Sequence, residues 1–181
     1  MKIGFLLGSF DPIHIGHIYM ATSALNFGMV DKVIFVPAFQ NPWKTESTDF
    51  RDRYLMTSLA VESIPNCEVS SIDYNNTSPY YTSNTLKMLK HSYPNDELYI
   101  IVGMDIVDQI DSWYEGGWIL KTFKLIVIAR DGYKGFVNHT LPNTLNVSST
   151  LIRELSKEGK QIYPLVPKII DNYIKQHKLY E

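Results

Sequence analysis

The sequence predicts an α/β fold, a mostly parallel sheet with helices on both faces. Three observations carry this. Short runs rich in β-branched and aromatic residues, Ile3–Leu7 and Lys32–Pro37 first among them, are continuously apolar, as in strands buried on both faces. Between them lie segments with apolar residues at helical spacing, so strand and helix alternate along the chain. The first run ends in a glycine-bearing turn that opens a helix, Gly8-Ser-Phe-Asp-Pro-Ile-His-Ile-Gly-His17. A strand–turn–helix junction of this kind presents backbone N–H groups and the positive end of a helix dipole, and so seats a phosphate group.

The elements follow in order. The helix from Gly16 to Phe27 carries Ile18, Ala21, Ala24 and Leu25 as its apolar stripe, and with its two flanking strands forms a βαβ unit. After a loop over Ala38–Phe50, a helical pattern runs from about Arg51 to Ile64, with Tyr54, Leu55, Leu59 and Val61 as its expected buried residues. Glu68–Ile72 reads as a weaker strand, and the Asn, Ser and Pro of Tyr74–Tyr81 as a loop. Thr82–Tyr93 is expected to be a helix capped by Ser78 or Thr82. Glu97–Val102 is a strand ending at Gly103, and Asp105–Leu120 a helical stretch interrupted near Ser112 and Gly116-Gly117. Phe123–Ala129 and Thr144–Val147 are further strands. Ser149 caps a helix through Leu155, and Leu165–His177, with Pro167 at its start, is an amphipathic helix. All 181 residues read as one Rossmann-like domain, with ligands expected beyond the carboxyl ends of the strands.

Composition narrows the partners. The net charge of -2 gives no basic surplus for nucleic acid, so a polyanionic small substrate must be met by a few placed cations. Cys67 is the only cysteine, which excludes an intramolecular disulfide and fits a reducing compartment. No run approaches the roughly 20 apolar residues that span a bilayer. A cytoplasmic protein without membrane contact is the expectation, and the amphipathic last helix offers a face for a second copy in a homo-oligomer.

Two clusters carry chemistry. Gly8 permits close approach of backbone to ligand, because a Cβ there would occupy the phosphate's space. Asp11-Pro12 stiffens the turn. His14 and His17, three apart at a helix start, project to one side. Two histidines flanking Gly16 in such a loop point to phosphate contact rather than to packing alone. A metal pair completed by Asp11 lacks a fourth ligand nearby. The second cluster, Asn146-Val-Ser-Ser-Thr-Leu-Ile-Arg153, offers the hydroxyls and free N–H groups of Ser148, Ser149 and Thr150 at a helix start. Arg153 follows one turn later, placed to clamp phosphate oxygens.

Together GSFDPIHIGH and VSSTLIR resemble the nucleotidylyltransferase superfamily, marked by HxGH and a late Ser-Ser-Thr-x-x-Arg. Pro79–Leu86 is similar to the PSYTxxTL segment of bacterial nicotinate-nucleotide adenylyltransferases, Ile101–Asp105 to their IIGxD, and Trp113-Tyr114 to their W-Y pair. Ile128–Tyr133 is similar to their xxRPGY, and Leu165-Val-Pro with Tyr173-Ile and Leu179-Tyr180 to their C-terminal pattern. The likeness spans nearly the whole chain in order. It departs at Leu7, where a glycine is usual, at Ser9 for threonine, at Ala38 for asparagine, and at Trp43 within Asn41-Pro-Trp-Lys44, where the family carries histidine.

The resemblance implies adenylyl transfer from ATP to a pyridine mononucleotide in NAD biosynthesis, nicotinate mononucleotide being preferred, with release of pyrophosphate. It implies backbone contacts from Gly8, Ser9 and Phe10, and ATP phosphates held by His14, His17 and Lys44. Gly103 and Asp105 would seat the adenosine ribose. Ser148, Ser149, Thr150 and Arg153 would grip the triphosphate, and Thr82, Trp113 and Arg130 the mononucleotide. Mg2+ would arrive with ATP, held mostly by phosphate oxygens and water, with no protein metal ligands. Nicotinamide mononucleotide as the main substrate, phosphopantetheine adenylyl transfer, a cytidylyltransferase and a non-catalytic nucleotide sensor are the competing readings. Phosphopantetheine enzymes typically end the late motif in lysine and lack the W-Y and PxYT segments.

Overall fold

A computed structural model describes residues 1–40, 47–129, 140–141 and 147–181. Six parallel strands form one sheet in the order β3-β2-β1-β4-β5-β6: β1 (Lys2–Gly8), β2 (Lys32–Pro37), β3 (Cys67–Val69), β4 (Glu97–Gly103), β5 (Lys124–Ile128) and β6 (Thr140–Leu141). The helices are α1 (Ile15–Asn26), α2 (Phe50–Val61), α3 (Thr82–Ser92), α4 (Met104–Val107), α5 (Gly116–Thr122), α6 (Ser149–Lys157) and α7 (Lys168–Gln176). The continuous apolar strands have the reason expected for them. Val33 and Phe35 of β2 enter one core with Ala21, Met56, Ile152 and Ile170, while the alternate Ile34 and Val36 enter a second with Leu86, Ile119 and Phe123. Successive side chains of a strand point to opposite faces, so a sheet covered on both sides leaves no polar face to alternate with.

Several local expectations are corrected. In α2 the buried residues are Arg53, Met56, Thr57, Ala60 and Val61, while Leu55 is 38% exposed and Tyr54 and Leu59 are only half-buried. The inner face is therefore partly polar, and a guanidinium occupies the place an apolar side chain was expected to take. The third strand is Cys67–Val69, and Ile72–Asn75 is a turn of 3-10 helix, because buried Asp73 draws surrounding donors to itself. The stretch after β4 breaks into α4, a 3-10 turn at Ile110–Ser112 and α5. Gly116 lies so close under the chain that a Cβ there would stand 2.1 Å from the Ile110 carbonyl.

Among the described residues the last strand is Thr140–Leu141; of the expected strand Thr144–Val147, Val147 is not in a strand and residues 144–146 lie outside the described residues. Ser148, not Ser149, caps α6, accepting from the Leu151 N–H at 3.2 Å, and Tyr81 precedes α3 with no side-chain cap from Ser78 or Thr82. α7 turns Ile170 and Ile174 into this chain's own core, while Ile169 on the same helix is 45% exposed. Among the described residues no helix is long and apolar enough to cross a membrane.

Candidate active site

The sheet order reverses between β1 and β4: from β1 the chain moves outward to β2 and β3, then returns to pair β4 on the other side. Helices covering opposite faces leave a crevice beyond the carboxyl ends of such a strand pair. A cavity of about 910 Å³ opens there. It is lined by Gly8, Ser9, His14, His17, Thr82, Gly103, Asp105, Trp113, Ser148 and Ser149, residues scattered over some 140 positions. Phe10, Thr150 and Arg153 are not in its wall, and Lys44 and Arg130 lie outside the described residues.

The two imidazoles form the floor. His14 and His17 stack with ring centroids 3.6 Å apart. The His14 backbone N–H donates to His17 Nδ1 at 3.2 Å. A neutral ring that accepts at Nδ1 carries its proton on Nε2, which assigns Nε2–H as the donor His17 can offer a ligand. Burial, reinforced by the neighbouring His14, lowers the His17 pKa well below its ordinary value. Behind it the Phe10 ring stands edge-on at 4.9 Å, with φ at +48°. Phe10 is thus a buttress, 2% exposed, and a Cβ on Gly8 would meet its ring at 3.1 Å. Close packing of Phe10, and not only room for a ligand, demands that glycine.

The late cluster joins the first loop directly. Ser149 Oγ donates to the Pro12 carbonyl at 2.9 Å, and Arg153 Nη1 donates to the Asp11 carbonyl at 2.7 Å. Arg153 Nη2 reaches Thr150 Oγ1 at 3.3 Å. A Cβ on Gly16 would stand 3.0 Å from both the His14 ring and Val147 Cγ1, so the histidines and the approach to α6 are in near contact. Two helix N-termini, those of α1 and α6, therefore converge beside the imidazole pair. On the other side of the crevice Asp105 folds back under Gly103, its Oδ1 2.5 Å from where a Cβ would be. Tyr81 and Tyr114 stack at 4.4 Å next to Trp113, and the Lys87–Glu115 ion pair at 2.6 Å ties their segments.

Three groups here were given no site role from the sequence. Arg53, 2% exposed, donates to four backbone carbonyls: Thr48 from Nε at 2.8 Å, Ser9 and Ala38 from Nη1 at 2.7 Å each, and Phe39 from Nη2 at 2.9 Å. Burial lowers its pKa, opposed by Asp11, Tyr180, Asp49 and Asp73. Its spacing from Met56 and Ala60 marks the buried face of α2 and could have exposed it. Asp73 accepts from the Phe39 N–H at 2.6 Å, from Asn76 at 3.0 Å and from the Thr85 hydroxyl. Tyr180 donates to Asp11 Oδ1 at 2.7 Å. No local pattern signals Asp73, and Tyr180 stood out only as part of the C-terminal Leu179-Tyr180 pair.

Fold and site together define a Rossmann-like α/β protein with a crevice at its switch point, on which two helix N-termini and an imidazole pair converge. The comparisons agree. The cytidylyltransferase-like family model matches residues 5–155. The chain is 37% identical to a probable nicotinate-nucleotide adenylyltransferase of Thermus thermophilus, covering 99% of this chain and all of the relative. It is 33% identical to the nicotinate-nucleotide adenylyltransferase of Bacillus subtilis, over 99% of this chain and 98% of that one. The fold matches Plasmodium falciparum nicotinic acid mononucleotide adenylyltransferase, solved with NaAD, with a TM-score of 0.83 at 21% identity, over 99% and 97% of the two chains. The chain belongs to the nicotinate-nucleotide adenylyltransferases, within the cytidylyltransferase-like family.

Proposed function

We propose that this chain, acting as one domain, transfers the adenylyl group of ATP to nicotinate mononucleotide, giving the dinucleotide and pyrophosphate. The observation that carries this is the convergence of the α1 and α6 N-termini on the stacked His14–His17 pair at the β1/β4 switch point. The 5′-phosphate of the mononucleotide attacks the α-phosphorus in line. One P–O bond forms as the bond to the pyrophosphate oxygen breaks. A phosphate monoester is already anionic near neutral pH, so no general base is needed, and positioning and charge stabilisation supply the rate.

The neutral His17 donates Nε2–H to the α- or β-phosphate, where charge accumulates, and His14 assists beside it. Ser148, Ser149 and Thr150 at the start of α6, with Arg153 and Lys44, serve the outer phosphates, the backbone of Gly8 and Ser9 lies alongside, and Phe10 supports His17 from behind. Gly103 and Asp105 take the adenosine ribose, with Asp105 accepting from its hydroxyls. Thr82, Trp113 and Arg130 take the mononucleotide. The start of α3, which has no side-chain cap, lines the cavity at Thr82, and its positive end suits the nicotinate carboxylate better than an amide. Mg2+ enters on the triphosphate as part of the substrate, held mostly by phosphate oxygens and water.

The experiment is pyrophosphate release from MgATP with nicotinate mononucleotide, nicotinamide mononucleotide and phosphopantetheine offered separately. Turnover is expected with the first and much less with the second. Turnover with phosphopantetheine alone, or ATP binding with no turnover on any acceptor, would overturn the reading.

A further inference from the structure

The segment after α7 turns back through two left-handed non-glycine residues, Lys178 at φ 51° and Tyr180 at φ 66°. The Leu179 N–H donates to the Ile174 carbonyl at 3.0 Å and closes the turn. Left-handed backbone is unfavourable for such residues and persists where surrounding contacts over-determine it. Here the turn delivers the Tyr180 hydroxyl to Asp11 Oδ1 at 2.7 Å, across 169 positions of sequence. Burial, with the negative charge of Asp11 beside it, pushes the Tyr180 hydroxyl far above its ordinary pKa, so it remains a donor.

Asp11 is the acid of the first loop, and it is 4% exposed. Its Oδ2 accepts from the Thr48 N–H at 3.2 Å, and its carbonyl accepts from Arg153 at 2.7 Å. The next residue, Pro12, accepts from Ser149, and His14 follows two positions later. The Asp11–Pro12 turn is therefore a node at which the first loop, the entry to α2, the start of α6 and the segment after α7 are held together. Resting on the reading of the first loop as the ATP phosphate site, we propose that Tyr180 is a positioning residue for adenylyl transfer. Its bond to Asp11 holds the turn, and through it Arg153 and the His14–His17 pair, where they receive the phosphates. A buried carboxylate that loses a donor turns to find another or admits water. Displacements of about 1 Å in groups that stabilise a transition state are enough to cost large factors in rate.

Tyr180→Phe tests this, since it keeps the ring and removes only the hydroxyl. At matched folded fraction by circular dichroism, kcat/KM for ATP is expected to fall roughly tenfold or more, with KM for the mononucleotide changing less. In a cycle with Asp11→Ala, which removes the acceptor, the double variant is expected to resemble Asp11→Ala alone, because Tyr180 acts through that side chain. Independent, multiplying losses overturn the proposal. So does a lowered melting temperature with unchanged kcat/KM, which is a purely structural role. Calorimetric binding of MgATP separates this inference from the reading beneath it. A wild-type protein that binds MgATP but adenylates no mononucleotide defeats the proposed function. A wild-type protein that does adenylate the mononucleotide, with kcat/KM for ATP unchanged in Tyr180→Phe, defeats the role of the tyrosine.

Discussion

Replacing Arg53 by methionine removes four hydrogen bonds while keeping an unbranched stem in the same space. The four accepting carbonyls, of Ser9, Ala38, Phe39 and Thr48, lie on the two loops that leave β1 and β2. At about 1 kcal/mol for each carbonyl left without its donor, the gross loss is about 4 kcal/mol. Methionine no longer desolvates a guanidinium, which returns part of this and leaves a net loss of roughly 3 kcal/mol. For a chain of this size, with about 2–4 °C of midpoint per kcal/mol, the melting temperature falls by roughly 6–12 °C. Arg53→Lys keeps the charge but can serve at most three acceptors from a single point, so its loss is smaller. Thermal unfolding followed by circular dichroism, checked for coincident transitions with tryptophan fluorescence, measures both. A midpoint for Arg53→Met within about 2 °C of wild type would refute the reasoning, since four half-buried carbonyls would then have lost their donors at almost no cost.

Three further predictions concern the site. Because the folded protein holds His17 neutral while the unfolded chain protonates it near 6.5, stability is full above that pH and falls as pH drops from about 6.5 toward the lower folded value. His17→Asn should flatten that part of the pH–stability curve and lower kcat on the order of 10²–10³, and an unaltered curve would show that another group titrates there. Trp113→Ala should raise KM for the mononucleotide far more than KM for ATP, whereas equal changes in steady-state assays would make the indole ordinary packing. Gly103→Ala puts a methyl where Asp105 Oδ1 now lies, so it should raise KM for ATP with little change in melting temperature; the reverse pattern would place the effect in the sheet.

Much of this protein was legible as pattern. The apolar runs at Ile3–Leu7 and Lys32–Pro37 named parallel strands because burial on both faces removes the need for alternation. The GSFDPIHIGH and VSSTLIR segments marked two turn-to-helix junctions, legible from short-range geometry, and both come to the crevice. Where such geometry did not suffice, the expectation slipped. Leu55 and Leu59 looked like the buried face of α2, yet the face turned inward is the one that carries Arg53, since only tertiary structure brings the four carbonyls that satisfy it. The same holds for Asp73, whose donors come from a loop beyond β2 and a helix beyond Tyr81.

Local pattern in the chain determined the main strands and helices and the two helix starts at the crevice, all of which depend on residues within a few positions of one another. The fold alone decided that Arg153 meets Asp11, that Phe10 supports His17 from behind, and that Tyr180 closes on the first loop. Those contacts join residues that are distant in sequence, or turn on a backbone angle such as the left-handed φ of Phe10. Spacing along the chain carries no record of either.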